Sequence, residues 1–162
     1  MVMISIDVFG EAAISRELLR FGARAADVSP ALEVIATMFY ESEKKQFDTE
    51  GAYASGGWKP LAESTVLAKL NNPAWSNMIL QRTGAMMEGL TTDTSDSGTK
   101  HITTDTLEIL STLDYPVFHQ QPNGPGSGLI PMRKPVELPE NVKVDMVRVL
   151  QRWLVGGGGI TA

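Results

Sequence analysis

The chain of 162 residues contains no cysteine. That excludes a disulfide framework, thiolate catalysis and sulfur-ligated metal sites, and it suits assembly in a reducing cytoplasm. Aromatic residues are few, at 7%, and cations are outnumbered, with 14 Lys and Arg against 19 Asp and Glu and a net charge of -5. Gripping nucleic acid non-specifically needs a cationic surplus to neutralise phosphates, so that role is excluded. An acidic surface repels phosphate instead and lets a duplex pass without adhering. Long hydrophobic runs are missing as well. Residues 146–154 are interrupted by Arg148, Gln151 and Arg152, so no span of a bilayer is predicted. Residues 1–10 alternate rather than joining a basic end to an apolar block, so no signal peptide is expected and the protein is expected to be soluble and to stay inside the cell.

The hydrophobic content of 43% is enough for one core. The expected fold class is α+β, an N-terminal strand and amphipathic helices packed on a small antiparallel β-sheet, with a C-terminal helix and long glycine-rich loops. One domain is expected over residues 1–155, followed by a flexible tail at 156–162. Val2, Ile4, Ile6 and Val8 alternate with Met3, Ser5 and Asp7, the period of a half-buried strand. From Glu11 the period changes, and Ile14, Leu18, Phe21 and Ala25 form one helical stripe ending near Asp27. Ser29 and Pro30 predict a capped helix start, with Leu32, Ile35, Ala36 and Phe39 as the buried face. Glu33, Glu41, Lys44, Lys45 and Asp48 fall on its other side, and Glu41 and Lys45 are spaced as a pair. These two helices are expected to pack together.

Residues 49–60 carry Gly, Ser and Ala without a period, which predicts an exposed, mobile loop. Short helices are predicted over 61–70 and, capped by Thr83, through Leu90, with Asn72 and Pro73 as a break between them. Thr-rich segments at 91–94, 100–104 and 107–111 predict a three-stranded meander. A second glycine and proline loop is predicted at 120–128, and 131–138 predicts an edge strand because its prolines cannot sit in a central one. Val142, Met146, Val149, Leu150 and Trp153 share one face of a closing helix, which the glycines from 156 to 159 end.

Chemistry-bearing residues are sparse. His101 and His119 are the two histidines, with Asp114 between them, and no HExxH spacing accompanies them. A small metal-dependent hydrolase built on these three is the enzymatic alternative, but the spacing favours sheet-face and loop-ordering roles, so no catalysis, cofactor or metal is expected. No GxSxG elbow occurs, and Gly56 and Gly57 precede Trp58 rather than a phosphate-binding helix. Gly84 and Gly89 have a spacing too common to signify. Arg16, Arg20 and Arg24 recur every fourth residue beside the apolar stripe, either as a solvated face or as a contact for an acidic neighbour or phosphate. Trp58, beside a glycine run, either folds back on the core or is covered by another molecule.

Several short elements occur in a telling order. Phe47 is followed by Trp58-Lys59-Pro60-Leu61, by Ser64, Thr65 and Lys69, and by Ile79-Leu80-Gln81-Arg82-Thr83-Gly84. After the Thr-rich region come Asp114-Tyr115-Pro116-Val117-Phe118-His119-Gln120 and Ile130-Pro131-Met132-Arg133-Lys134-Pro135. Over residues 30–154 this order resembles the virion morphogenesis family of tailed bacteriophages and, more distantly, their neck and tail-completion proteins. The chain departs from the family pattern at Pro116, where Ala is usual, in a longer insert after Gln120, and at Val136, where an aromatic is customary. The resemblance implies a structural subunit at the head–tail junction, assembled in the bacterial cytoplasm into a ring, a hexamer or dodecamer, around the DNA channel. Its implied neighbours are head-closure or connector proteins and the tail terminator or tail tube, with DNA passing unbound and no membrane involved. A tail terminator capping the tube is the sister reading. Trp58, Lys59, Tyr115, His119 and Arg133 are then the expected contacts between subunits or rings.

Overall fold

A computed structural model describes residues 10–54, 56–121 and 130–156 of the protein. The strand expected at 2–9, most of the loop at 120–128 and the tail beyond 156 lie outside the described residues. Six helices and a two-stranded antiparallel sheet are present among those described, an α+β fold. The order is α1 (Glu11–Ala26), α2 (Ser29–Asp48), α3 (Glu63–Leu70), α4 (Ala85–Thr91), β1 (Gly98–Ile102), β2 (Leu107–Ser111), α5 (Pro116–Gln120) and α6 (Glu140–Gly156). None of the helices described is long and apolar enough to cross a membrane.

Helix α2 is the axis on which α4, α6 and the hairpin are laid. It starts at Ser29 with Pro30 in its first turn, where a missing N–H costs nothing. The cap is not Ser29, as expected, but the preceding acid: the Ser29 N–H donates to Asp27 Oδ1 at 3.0 Å, a bond that also holds the Asp27 carboxyl below its usual range. In the N-terminal half the buried side is apolar, with Ala31, Leu32 and Ala36. In the C-terminal half it becomes polar, with Ser42, Glu43 and Gln46 buried before Phe47. The predicted Glu41–Lys45 pair does not form; the Lys45 ammonium lies over the Tyr53 ring instead, 5.8 Å from its centre.

The two N-terminal helices do not form the expected pair. Helix α1 rests chiefly on α6, and none of its residues is buried. It is held at its end. The Arg24 guanidinium donates to the carbonyls of Leu154 at 2.8 Å and Val155 at 3.3 Å, closing the open C-terminus of α6. In return the Trp153 indole N–H donates to the carbonyls of Arg24 and Asp27, both at 3.1 Å. Two helix ends therefore satisfy each other.

The meander shrinks to one hairpin, β1 with β2, in which Lys100 faces Ile109. The third segment, 91–94, gives no strand because α4 continues to Thr91 and Thr92 bonds back to the Glu88 carbonyl. Helix α4 is not capped by Thr83 either; Gly84 takes that place at φ 87°. Gly89 and Gly98 let α4 cross β1 backbone to backbone, since a Cβ on Gly98 would overlap the Gly89 carbonyl. The spacing of glycines around α4 thus has two structural uses. Lys100 ties the hairpin to its supports, pairing with Glu33 of α2 at 2.9 Å and Asp93 at 3.2 Å.

The main core gathers Phe47, Trp58, Ile79, Met86 and Leu90, with Leu61, Leu80, Met87, Leu113 and Val136 packed against it. Residues 49–58 are consequently not the exposed loop expected. Gly51, at φ 86°, and Trp58 are buried, and the Trp58 N–H of the main chain donates to the Glu50 carbonyl at 2.7 Å. Residues 131–138 form no strand. With Pro131, Pro135 and Pro139 lacking donors, their polar groups are met by side chains instead.

Candidate functional site

The cleft that collects most of the predicted contact residues lies at the C-terminal end of α2. It encloses about 930 Å³ between residues 59–65, residues 80–86, α5 and residues 130–133. Lys59, Tyr115, His119 and Arg133 line it. Trp58 does not. Its ring stands edge-on to Phe47 with centres 5.4 Å apart, and its indole N–H donates to the Lys134 carbonyl at 3.0 Å. Of the two readings open for Trp58, the core reading is the one observed: it forms the floor that holds the cleft's walls together.

Arg133 is the clamp between those walls. It is 7% exposed, and its guanidinium donates from Nε to the Lys59 carbonyl at 2.6 Å and from Nη2 to the Pro60 carbonyl at 2.9 Å. Its main-chain N–H donates to the His119 carbonyl at 3.1 Å, so one residue ties three segments. Gln120 completes the seam as a strand would: its Nε2 donates to the Val136 carbonyl at 2.8 Å, and the Val136 N–H donates to its Oε1 at 3.2 Å. A side-chain amide replaces the ladder that a proline-rich segment cannot sustain.

Pro116, the departure from the family pattern, opens α5 in its first turn and is buried. His119 lies on that helix rather than in a loop. Burial, aided by the neighbouring Arg133 guanidinium, pushes its imidazole below the ordinary range, so it is neutral at pH 7. Its buried Nδ1 has no hydrogen-bond partner among the described residues.

The opposite wall owes its shape to groups the sequence reading quoted only within motifs. Lys69 is buried, donating from Nζ to the carbonyls of Ser76 at 2.9 Å and Met78 at 2.7 Å. Burial lowers its pKa, opposed by the charge of Glu50. Glu50 Oε1 in turn accepts the Ile79 N–H at 2.6 Å, and Gln81 Nε2 donates to the Phe47 carbonyl at 3.1 Å. Leu80, on the cleft, is pinned between these tethers at φ 60°, a conformation a bulky side chain rarely adopts. Arg82 lies over the Trp75 ring at 4.9 Å. No pattern of spacing announces such side-chain-to-carbonyl tethers, because their partners are set by tertiary folding.

Electrostatically the cleft is one-signed. Its ionisable walls are Lys59, Lys69, Arg82, His119 and Arg133 with Tyr115, and no carboxylate lines it, although the chain as a whole is acidic. The remaining lining is largely apolar, including Leu61, Leu80, Met86 and Ile130. A concave apolar floor with fixed cations at its margins suits an apolar segment that carries acid side chains.

The other predicted residues fall elsewhere. His101 is exposed on β1 opposite Glu108, and Asp114 is exposed before α5. Among the described residues, no three His, Asp or Glu side chains converge in a way that could hold a metal ion. The Arg16, Arg20 and Arg24 series is divided among separate jobs. Arg16 donates to the Ala12 carbonyl at 3.1 Å, Arg20 pairs with Glu17, and Arg24 closes α6. Compared with protein-family models, curated proteins and solved structures, the chain matches none.

Proposed function

We propose that this chain is a structural subunit of a tailed-bacteriophage particle, one that joins a ring around the DNA channel at the head–tail junction and catalyses no reaction. The observation that carries the reading is convergence. The segments on which the family resemblance rests, 58–61, 79–84, 114–120 and 130–135, are scattered along the chain, yet together they build one core and one cleft. A shared order of motifs has a physical reason when the motifs jointly make a single binding surface.

Two further features support an assembling subunit. The cleft and α1 are unlike apolar surfaces at opposite ends of α2, as head-to-tail association in a ring requires. The net charge of -5 suits a channel that DNA must traverse without sticking. The test is a phage deleted for this subunit. The reading expects filled heads and finished tails that remain separate, and expects electron microscopy of the intact particle to place the subunit between them. Tails of uncontrolled length would identify a tail terminator instead. Joined, infectious particles would exclude both.

A further inference from the structure

Helix α1 is a surface without a partner. Ile14, Leu18 and Phe21 are 57%, 66% and 45% exposed, and with Val155 of α6 they bound a shallow apolar groove. A helix of 16 residues tethered only at one end is marginal in water, because tertiary packing supplies most helical stability. Something must cover this stripe for the helix to contribute to the protein.

The charges around the stripe say what. At ~100° per residue, Glu11 and Glu17 flank the line of Ile14, Leu18, Phe21 and Ala25, one on each side, while Arg16 and Arg20 fall on the back of the helix. Arg24 is turned to the α6 carbonyls. The docking face is therefore apolar with acidic margins. The cleft is apolar with only cationic or imidazole margins, and two of its cations, Lys59 and Arg82, are exposed at the rim. The two surfaces match in polarity and in sign.

One chain cannot satisfy itself. Helix α1 attaches at the N-terminal end of α2, through Asp27, whereas the cleft is built around Phe47 and Trp58 at the other end. The 20 residues of α2 separate them by ~30 Å at the rise of an α-helix. We propose that α1 of one copy seats its Ile14, Leu18 and Phe21 stripe in the cleft of the next copy, with Glu11 and Glu17 against Lys59 and Arg82. This inference names the contact that would build the ring and rests on the reading of the chain as a self-assembling subunit.

A head-to-tail contact has a signature that a symmetric one lacks. The full chain, studied by sedimentation and native mass spectrometry, is expected to form oligomers that weaken as salt is raised. Leu18→Asp blocks the helix and the double variant K59E/R82E blocks the cleft. These positions are exposed, so thermal melting of the monomer should be unchanged. Each variant alone is expected to lose at least about tenfold in association, the scale of an interface anchor. Mixed together they should form a one-to-one dimer and nothing larger, because only one intact helix and one intact cleft remain. Four outcomes overturn the proposal: a wild-type chain that stays monomeric at every accessible concentration, Leu18→Asp oligomers equal to wild type, a K59E/R82E chain that still dimerises as wild type does, or a monomer whose α1 amides are already protected from hydrogen exchange. If the mixed dimer forms but phage lacking the subunit still join heads to tails, the contact stands and the virion reading falls. If that phage fails to join while the mixture stays monomeric, the reverse holds.

Discussion

Trp58 shows how one residue can carry a site without touching its ligand. Its ring fills the space above Gly51 and against Phe47, and its N–H holds the Lys134 carbonyl. Trp58→Ala is expected to cost about 3–5 kcal/mol of stability, the range for emptying a core aromatic site. Trp58→Phe keeps most of the packing and loses the hydrogen bond, so about 1 kcal/mol is expected. Urea titration of both variants checks the pair. Similar small losses for both would return Trp58 to the role of a surface contact. Glu43 is the opposite kind of residue, fully buried at 0% exposure with no carboxyl oxygen in a hydrogen bond of good geometry. Burial pushes its pKa up to about 8, with the Glu137 backbone N–H partly offsetting and the Glu137 carboxylate reinforcing the rise. The folded chain thus keeps a proton that the unfolded chain releases above pH 4.5. Stability from this group is whole below that pH and falls by about 1.4 kcal/mol per pH unit until the folded pKa is reached. Glu43→Gln, which mimics the protonated acid, should therefore stabilise the protein by on the order of 3 kcal/mol at pH 7 and by little at pH 4. Thermal melts of both proteins across this range test it, and a gain independent of pH would show that the carboxyl is already ionised in the fold.

Among elements, α1 and the hairpin fail and succeed for instructive reasons. The tether of α1 consists of Arg24 and Trp153 meeting each other's helix ends. Arg24→Ala or Trp153→Phe should loosen α1 while leaving the core intact. Amide exchange along 12–24 is expected to quicken at least about tenfold, with global stability lowered by no more than about 2 kcal/mol. Equal loss of protection in α2 would mean that α1 belongs to the core after all. The hairpin depends on α4 crossing it closely, so Gly98→Ala, which brings a methyl onto the Gly89 carbonyl, is expected to cost about 2 kcal/mol or more, measured by denaturant titration. The helical stripes of α1, α2 and α6 were legible because each repeats with the helical period. The strand forecast at 91–94 failed because threonine's β-propensity is weak beside a helix already supplying Glu88 as an acceptor. The forecast at 131–138 failed because proline removes donors without saying which side chain will stand in for the ladder, here that of Gln120.

At the scale of the whole molecule, charge is distributed rather than merely summed. The chain is acidic, yet the cleft that joins its core motifs has cationic walls, and the exposed helix at the far end of α2 carries acids beside its apolar stripe. Acid should add to the cleft's charge through His119. Its pKa is lowered by burial and by Arg133, so the unfolded chain takes up the proton first as pH falls through 6.5. Stability from the neutral imidazole is therefore full above that value and is lost towards acid. His119→Gln should flatten this part of the pH dependence between about pH 6.5 and 5, read from chemical denaturation. An unchanged slope would assign the acid sensitivity to other groups.

Composition and periodicity by themselves determined the fold class, the positions of most helices, and the absence of thiol chemistry, because these follow from local spacing and residue inventory. The order of motifs also marked Lys59, Tyr115, His119 and Arg133 as belonging together. Only the tertiary structure decided that Trp58 is the floor of that group rather than its face, that Arg24 closes a helix rather than extending a basic stripe, and that α1 is left uncovered. Those outcomes turn on which carbonyl or ring a side chain meets, and a partner more than a hundred residues away, as Leu154 is from Arg24, leaves no periodic trace in the chain.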